Sequence, residues 1–563
     1  MVSKLVTSKS IWLSALLISA CGSTSAPSGA GNSARADLVL VNGDVFWPGA
    51  HKTSVAVKGG EIVATDDARA WIGKDTRVID LAGKSVIVGL TDAHCHLYGL
   101  GNDMENVSVR QLGSEAEAVK VIADAAKKRP ASEWLIGRGW DQNRWPGQKF
   151  PTKASIDAAV SDRPVMLERV DGHAVWVNSR ALAEAKITKA TPDPAGGKIV
   201  RDASGEPTGV LIDNATGLIE AKIPDATPAV RERRLVAAAK RAVELGFTAV
   251  HEMGIQDATA DVYRKLAAAN RLPLRVYAYR SGDAAHADEL RKRHPEPAVG
   301  RFVMRGVKYF ADGALGSRGA RLYEDYDDDK GNRGLWVTDP KVLASAVDAS
   351  VAGGWQVAIH AIGDAGVGAV LDAYVKHPGR RLRIEHVQVI APKDVPRMVQ
   401  AKAIASMQPT HATSDMLWAE ARIGKQRIKG AYAWRTMLEQ KIPLAFGSDF
   451  PVEEVNPLLG LDAAVRRANW YPEQRLTLDE AVAAFTTGAA YAVGEEKDAL
   501  RRADLTIFDG KLDPADLTKR SVLMTIVGGE VVYRAGPEER SGARQGTPRA
   551  RTGEVNDGEA KGH

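Results

Sequence analysis

Two histidines separated by one residue follow an apolar segment near the start of the chain. His94 and His96 lie in the segment 92–96, Asp-Ala-His-Cys-His, directly after the apolar residues 86–90. Alternate side chains of an extended segment point to the same side, so both imidazoles can reach one metal ion while Cys95 points away. A His-x-His sequence alone is weak evidence. Its position at the end of a buried strand makes it a candidate metal site.

Three further polar residues each come directly after an apolar segment. They are His360, His386 and Asp449. Taken singly, each could be a buried polar group with a hydrogen-bond partner, and for a lone histidine this explanation is favoured over a metal ligand. The ends of successive strands meet at one mouth of a parallel barrel, so these residues are predicted to converge with His94 and His96. Imidazoles with a carboxylate suit zinc, and also manganese or iron.

A lysine lies within another apolar strand pattern. Lys308 belongs to the segment 306–313, Gly-Val-Lys-Tyr-Phe-Ala-Asp-Gly. A buried ammonium group is costly unless it is paired with an opposite charge. The residues alone therefore favour a salt bridge between Lys308 and Asp312 or another acid.

The order of the predicted elements favours the barrel that this convergence needs. Thr227 and Pro228 are typical of a helix start, Gly246 is typical of its end, and an apolar strand follows. Repeated alternation of helix and strand is typical of parallel α/β folds. We predict a TIM (β/α)8 barrel with strands at 85–94, 247–253, 274–280, 305–311, 355–360, 382–386, 403–407 and 442–447.

The segments outside these strands predict the remaining domains. Residues 38–88 and 500–534 contain short apolar runs separated by glycine turns, and we expect them to form one small β-sandwich from both chain ends. The barrel is predicted over 89–499. Its segment 100–226 is too long for a βα loop and is predicted to be an inserted subdomain over the barrel mouth. The tail 535–563 has almost no large apolar residue and is predicted to be disordered.

The N-terminus has the pattern of an export signal. Residues 1–21 contain two lysines, an apolar stretch and the sequence Ile-Ser-Ala-Cys, which resembles a bacterial lipobox. We expect Cys21 to be lipidated and residues 22–37 to be a flexible tether. The protein would then lie in the cell envelope, on the outer membrane facing the periplasm, with its lipid anchor as the only membrane contact. The alternative is an ordinary secretory signal with an incidental cysteine.

Composition excludes several classes of protein. Hydrophobic residues make up 44% and charged residues 26% of the chain, which excludes a fibrous or wholly disordered protein. A net charge of +5 over 563 residues is too small to favour nucleic-acid binding. Two cysteines cannot form a disulfide framework.

Eight stretches of the sequence together resemble the metal-dependent amidohydrolase superfamily, in particular its amidohydrolase-3, YtcJ-like branch, which includes N-substituted formamide deformylases. They lie in the family's order over about residues 40–535, which is far more specific than any one motif. The resemblance implies a TIM barrel with a β-sandwich, in agreement with the pattern of elements. The stretches are Gly89–His96, Gly137–Asp141, Asp171–His173, Val250–Gly254, Val307–Arg318, His360–Asp364, Arg383–His386 and Gly447–Val452.

The resemblance also implies a site for two divalent metal ions, expected to be Zn²⁺, with Mn²⁺ or Fe²⁺ as alternatives. The histidines of the first strand would hold the more buried ion, and those of the fifth and sixth strands the second. Lys308 would take up CO2 and bridge both ions as a carbamate. If Lys308 is not carboxylated, Glu252 is the substitute candidate for the bridging ligand. Asp449 would bind metal and move protons. The implied metal-site residues are His94, His96, Lys308, His360, His386 and Asp449.

The predicted activity is hydrolysis of a carbon–nitrogen bond other than a peptide bond. Hydroxide activated by metal would attack the carbonyl carbon of a small-molecule amide, and Asp449 would carry the proton to the leaving nitrogen. The alternatives are a metallohydrolase for a lactone or phosphoester and a metal-binding surface lipoprotein without turnover. A homodimer is expected only by analogy with similar barrels.

Five further residues are candidates for contact with the substrate. His173 is predicted to reach the substrate or its oxyanion, the alternative being a structural loop histidine. Arg138, Trp140 and Asp141 are predicted to shape the pocket, the alternative being that they pack the insertion onto the barrel. Arg318 is predicted to bind a substrate carboxylate, the alternative being a surface ion pair.

Overall fold

The computed structural model describes residues 35–536. The predicted signal peptide 1–21 with Cys21, nearly all of the predicted tether 22–37 and the tail from residue 537 onward lie outside the described residues. Within 35–536, no helix is both long enough and apolar enough to cross a lipid bilayer.

Eight parallel strands form the central sheet in chain order. The last strand returns to the first, because the backbone N–H of Asp449 donates a hydrogen bond to the carbonyl oxygen of His94 over 2.7 Å. This strand order and return contact are those expected of a TIM barrel. The strands are Thr91–Cys95, Ala249–Ile255, Arg275–Ser281, Phe302–Phe310, Gln356–Ala361, Arg383–His386, Ile404–Met407 and Leu444–Phe446.

The first predicted strand, 85–94, is divided into two in the structure. Ser85–Val88 pairs with strands from the two chain ends, whereas Thr91–Cys95 enters the barrel. Gly89 lies between them with φ at +70°, a conformation that breaks an extended strand and that glycine adopts without strain. The seven other predicted strands each overlap a barrel strand of the structure.

The helices around the barrel begin where the capping residues predict. The Thr227 side chain accepts a hydrogen bond from the N–H of Val230, and Thr477 forms a capping box with Glu480. From residue 228 onward, the α-helices of six or more residues are Pro228–Glu244, Asp257–Ala268, Pro340–Ala352, Asp364–Tyr374, Val395–Ala401, Pro409–Asp415, Ala419–Arg427, Trp434–Glu439, Pro457–Arg466 and Leu478–Ala483.

The long segment between the first and second barrel strands contains a sheet with its own hydrophobic core. Its strands, in sheet order, are Gly197–Arg201, Pro207–Asp213, Ala174–Val177, Val165–Arg169, Leu135–Trp140 and Val107–Ser108. Its helices are Leu97–Asp103, Glu115–Ala126, Lys153–Ala159, Ser179–Glu184 and Gly217–Glu220.

Both ends of the described chain contribute to one further sheet. In sheet order its strands are Glu530–Arg534, Val522–Val527, Leu505–Phe508, Ser85–Val88, Asp44–Trp47 and Ala50–Lys52. A four-stranded sheet contains Glu61–Thr65, Val55–Lys58, Leu38–Val41 and Arg77–Asp80. Apolar side chains from the two sheets pack in a common cluster that includes Leu40, Val57, Val86 and Ile526.

Candidate active site

The barrel brings the predicted metal-site residues to the carboxyl ends of their strands. Each lies within the strand end or in the few residues that follow it. One nitrogen of His94, one nitrogen of His386 and one carboxylate oxygen of Asp449 lie within 4.8 Å of one another. All three side chains are buried. Such a group has the ligand types and the spacing that a divalent metal ion requires.

The carboxylate of Asp449 lies among imidazole nitrogens. Its Oδ1 is 3.5 Å from Nε2 of His94 and 3.2 Å from Nε2 of His96. That oxygen is buried and has no hydrogen-bond partner in the described part of the chain. A buried carboxylate oxygen without a partner is costly, and a cation between it and the imidazoles removes that cost. The residues present therefore fit a metal ion.

Hydrogen bonds at Nδ1 orient three of these imidazoles. Nδ1 of His94 is 2.6 Å from a carboxylate oxygen of Glu385, and Nδ1 of His96 is 2.9 Å from the carbonyl oxygen of Met253. Nδ1 of His386 is 2.9 Å from the amide oxygen of Gln408. Because each of these partners is an acceptor, Nδ1 carries the proton and donates the hydrogen bond. The lone pair of Nε2 is then available for a metal ion.

Lowered pKa values keep three of these imidazoles neutral, the form that binds metal. Burial, followed by the neighbouring Lys308, lowers the pKa of His94 to about 4. The pKa values of His360 and His386 lie well below the ordinary value because of burial and then because of neighbouring imidazoles. The ring of His360 lies 4.6 Å from that of His386, and its Nε2 is 3.3 Å from the carbonyl oxygen of Gly313.

Lys308 is buried in the fourth strand without an acidic partner in ion-pair contact among the described residues. Its Nζ lies 3.4 Å from Nε2 of His94 and 4.9 Å from the centre of the Phe310 ring. The expected salt bridge to Asp312 is wrong, because the Asp312 carboxylate accepts hydrogen bonds from the backbone N–H groups of residues 321, 362 and 363. Burial lowers the pKa of Lys308 to about 8, so a minor part of the amine, on the order of a tenth, is uncharged at neutral pH.

Two residues predicted to contact substrate line cavities beside this cluster. Nδ1 of His173 is 2.8 Å from a carboxylate oxygen of Asp213. Burial would lower the pKa of His173, but the bond to Asp213 outweighs it and raises this pKa above its ordinary value. Asp141 accepts a hydrogen bond of 2.6 Å from the buried guanidinium of Arg169.

Arg138 and Glu252 both have close protein partners. Arg138 lines the larger cavity and forms an ion pair of 2.8 Å with Glu168. Glu252 accepts hydrogen bonds from the backbone N–H groups of Leu97 and Tyr98. Glu252 therefore fixes the turn after the first strand, which leaves it poorly placed as a substitute metal bridge.

Trp140, predicted to shape the pocket, and Arg318, predicted to bind a substrate carboxylate, line neither cavity beside the cluster. Trp140 is fully buried in the core of the inserted sheet, and its indole N–H donates to the carbonyl oxygen of Leu167 over 2.8 Å. Arg318 forms a two-point ion pair with Asp328, at 2.9 and 3.2 Å. Both residues lie close in sequence to the site, but their side chains point elsewhere.

Two cavities meet at the cluster, one of about 310 Å³ and one of about 910 Å³. Residues of the insertion and residues of the barrel line both of them, which places the cluster between the two parts of the chain. These volumes are typical of sites for small molecules. The residues common to both cavities include His173, His360, His386 and Asp449.

Two features of the site were not predicted from the sequence: His411, and the buried Arg383–Glu385 pair that supports His94. Arg383 forms a two-point ion pair with Glu385, which holds this carboxylate against His94. His411 lies in the first turn of the helix after the seventh strand, with Nε2 at 3.7 Å from Asp449. The sequence Gln-Pro-Thr-His at 408–411 could have indicated His411, because Pro409 starts a helix directly after the seventh strand, at the barrel mouth.

Comparison with known proteins agrees with this geometry. The sequence profile of the amidohydrolase family matches residues 77–533. Bacillus subtilis YtcJ, an amidohydrolase by name, is 35% identical over 484 residues, which cover 82% of this chain and 91% of that protein. An N-substituted formamide deformylase of Arthrobacter pascens is 29% identical over 559 residues, covering 90% of this chain and 99% of that protein.

The fold also matches a solved structure. The crystal structure of an uncharacterized metal-dependent hydrolase from Pyrococcus furiosus aligns with a TM-score of 0.66 and 28% sequence identity. The alignment covers 85% of this chain and 99% of that one.

Proposed function

The chain belongs to the amidohydrolase family and is a hydrolase of carbon–nitrogen bonds, and from this premise we propose that its substrate is a small-molecule amide. The observation that carries this proposal is the Oδ1 atom of Asp449, which lies beside the imidazoles of His94 and His96 and has no hydrogen-bond partner within residues 35–536. It places a proton acceptor directly beside the atoms that would hold a metal ion.

Divalent metal at such a site polarises a carbonyl group and lowers the pKa of water toward neutrality. The residues that would hold it are the four histidines, Asp449 and Lys308. Zn²⁺ is the simplest assignment for this set of nitrogen and oxygen donors, with Mn²⁺ and Fe²⁺ as alternatives. The buried imidazoles present neutral nitrogens, so no proton has to leave them before metal binds.

Asp449 would act as the proton carrier. Its carboxylate accepts a proton from the attacking water and delivers it to the amide nitrogen as the C–N bond breaks. His173 lies across the cluster, and its ring is 4.8 Å from that of His360. With Nδ1 bound to Asp213, His173 can offer its Nε2–H to an oxygen atom of the substrate.

Lys308 would be carboxylated. Its uncharged amine forms a bond from nitrogen to the carbon of CO2 and releases one proton, which leaves an anionic carbamate. An ammonium at this position, 3.4 Å from Nε2 of His94, would repel a metal ion, whereas a carbamate would attract two. The lowered pKa and the lack of an acid in ion-pair contact within residues 35–536 support this chemistry.

The experiment for this proposal is a panel of small amides. N-substituted formamides come first because the Arthrobacter pascens relative carries that name. We expect amine and carboxylic acid to appear in equal amounts from at least one amide. Lactones and phosphoesters serve as controls. Turnover of a lactone or phosphoester with none of any amide would contradict the proposed substrate class.

We further propose that the protein is exported as a lipoprotein through Cys21, to the outer membrane facing the periplasm. The basic residues, apolar stretch and lipobox-like sequence of residues 1–21 support this proposal.

A further inference from the structure

His411 is a buried histidine at the active site to which neither the sequence motifs nor the proposed mechanism assigns a task. It is 6% exposed and lines the smaller of the two cavities together with His173, His360, His386 and Asp449. Its ring lies 5.9 Å from that of His386. It therefore faces the metal-site residues from the helix that follows the seventh strand, on the side of the smaller cavity.

The hydrogen bond at Nδ1 determines which nitrogen of His411 carries the proton. The side-chain amide nitrogen of Gln388 lies 3.0 Å from Nδ1 of His411. An amide nitrogen is only a donor, so Nδ1 accepts this bond and the proton is on Nε2. A protonated Nε2 has no lone pair for a metal ion, which distinguishes His411 from His94, His96 and His386, whose Nδ1 atoms face hydrogen-bond acceptors.

The Nε2–H group of His411 lacks an acceptor in the described part of the chain. The nearest carboxylate oxygen, on Asp449, is 3.7 Å away, beyond the length of a hydrogen bond. A buried donor without an acceptor is costly and rare in folded proteins. Because this donor lines the smaller cavity, an acceptor supplied by a ligand there would satisfy it.

We propose that His411 is a further catalytic residue, which donates Nε2–H to the carbonyl oxygen of the amide as that oxygen becomes an oxyanion. The inference rests on the proposed amide hydrolysis. Gln388 is the positioning residue that holds the imidazole in the required tautomer. Donors fixed in advance at the atom that gains negative charge act mainly on the transition state, so the effect falls on kcat more than on KM.

The test compares His411→Ala and His411→Gln with the wild-type enzyme on an amide that the wild type hydrolyses. We expect His411→Ala to lower kcat by about 10²–10³-fold with little change in KM and in metal per chain. His411→Gln carries an amide N–H near the position of Nε2 and should retain part of the lost activity. His377→Ala is the matched control, since His377 lines neither cavity and pairs with Asp348, and we expect its kcat to be unchanged.

A second measurement reports on the tautomer without activity. In protein labelled with ¹⁵N-histidine, the imidazole signals that disappear in His411→Gln belong to His411, and we expect them to show a proton on Nε2. A proton on Nδ1 alone, a loss of metal in His411→Ala, or an unchanged kcat in His411→Ala would each overturn the inference. If the wild type itself hydrolyses no amide, the proposed function fails, and this inference fails with it.

Discussion

Asp449→Asn is expected to lower kcat for amide hydrolysis by about 10²–10⁴-fold, the usual contribution of a positioned acid–base group. Asparagine keeps the shape of the side chain and one oxygen that can bind metal, but it cannot take up and deliver a proton. The Asp449 carboxylate lies at the centre of the cluster, with Oδ1 at 3.2 Å from Nε2 of His96 and 3.5 Å from Nε2 of His94, so the substitution removes a charge there. The measurement is kcat with a saturating amide, beside metal per chain.

Metal content separates the two roles assigned to Asp449. If Asp449→Asn keeps most of its metal and loses turnover, the proton-carrying role is supported. Asp479→Asn is a matched control, because Asp479 is an exposed residue outside both cavities, and it should retain wild-type kcat. A near-wild-type kcat in Asp449→Asn would show that another group moves the proton.

Lys308→Ala is expected to lower metal content from about two ions per chain to about one or fewer when both proteins are purified with bicarbonate. The reason is that alanine removes the carbamate that would bridge the ions, while leaving the histidines in place. Activity should fall along with metal. Elemental analysis of the purified chains provides the count.

Lys308→Glu is the matched variant for this experiment. Glutamate supplies a permanent carboxylate on a shorter side chain, so we expect it to retain more metal than alanine, with or without bicarbonate. If wild type and Lys308→Ala both hold about one ion, Lys308 is not a bridge. The site would then be a single-metal centre built on His94, His96 and Asp449.

The strands of the barrel could be predicted because their apolar runs alternate with capped helices. Thr227 and Thr477 cap helices as their sequences indicate. The division of the first strand could not be predicted in the same way. The apolar residues 86–90 lead with no turn residue other than Gly89 into the second strand, and the positive φ of Gly89 separates the two sheets.

The convergence of His94, His386 and Asp449 could be predicted because parallel strands end at one mouth of a barrel. Which way each side chain of the insertion points could not be predicted, because neighbours in sequence face opposite sides of a strand. Trp140 therefore packs inward although the adjacent Asp141 lines a cavity. His411 was missed because it lies one turn into a helix rather than at the end of a strand.

The most direct test of the account is amide hydrolysis by one preparation of wild-type enzyme before metal removal, after removal with a chelator, and after metal is restored. We expect amine release to stop when the metal content falls to zero and to return when Zn²⁺, Mn²⁺ or Fe²⁺ is added back. Amine release that continues at full rate from a folded, metal-free chain would contradict it.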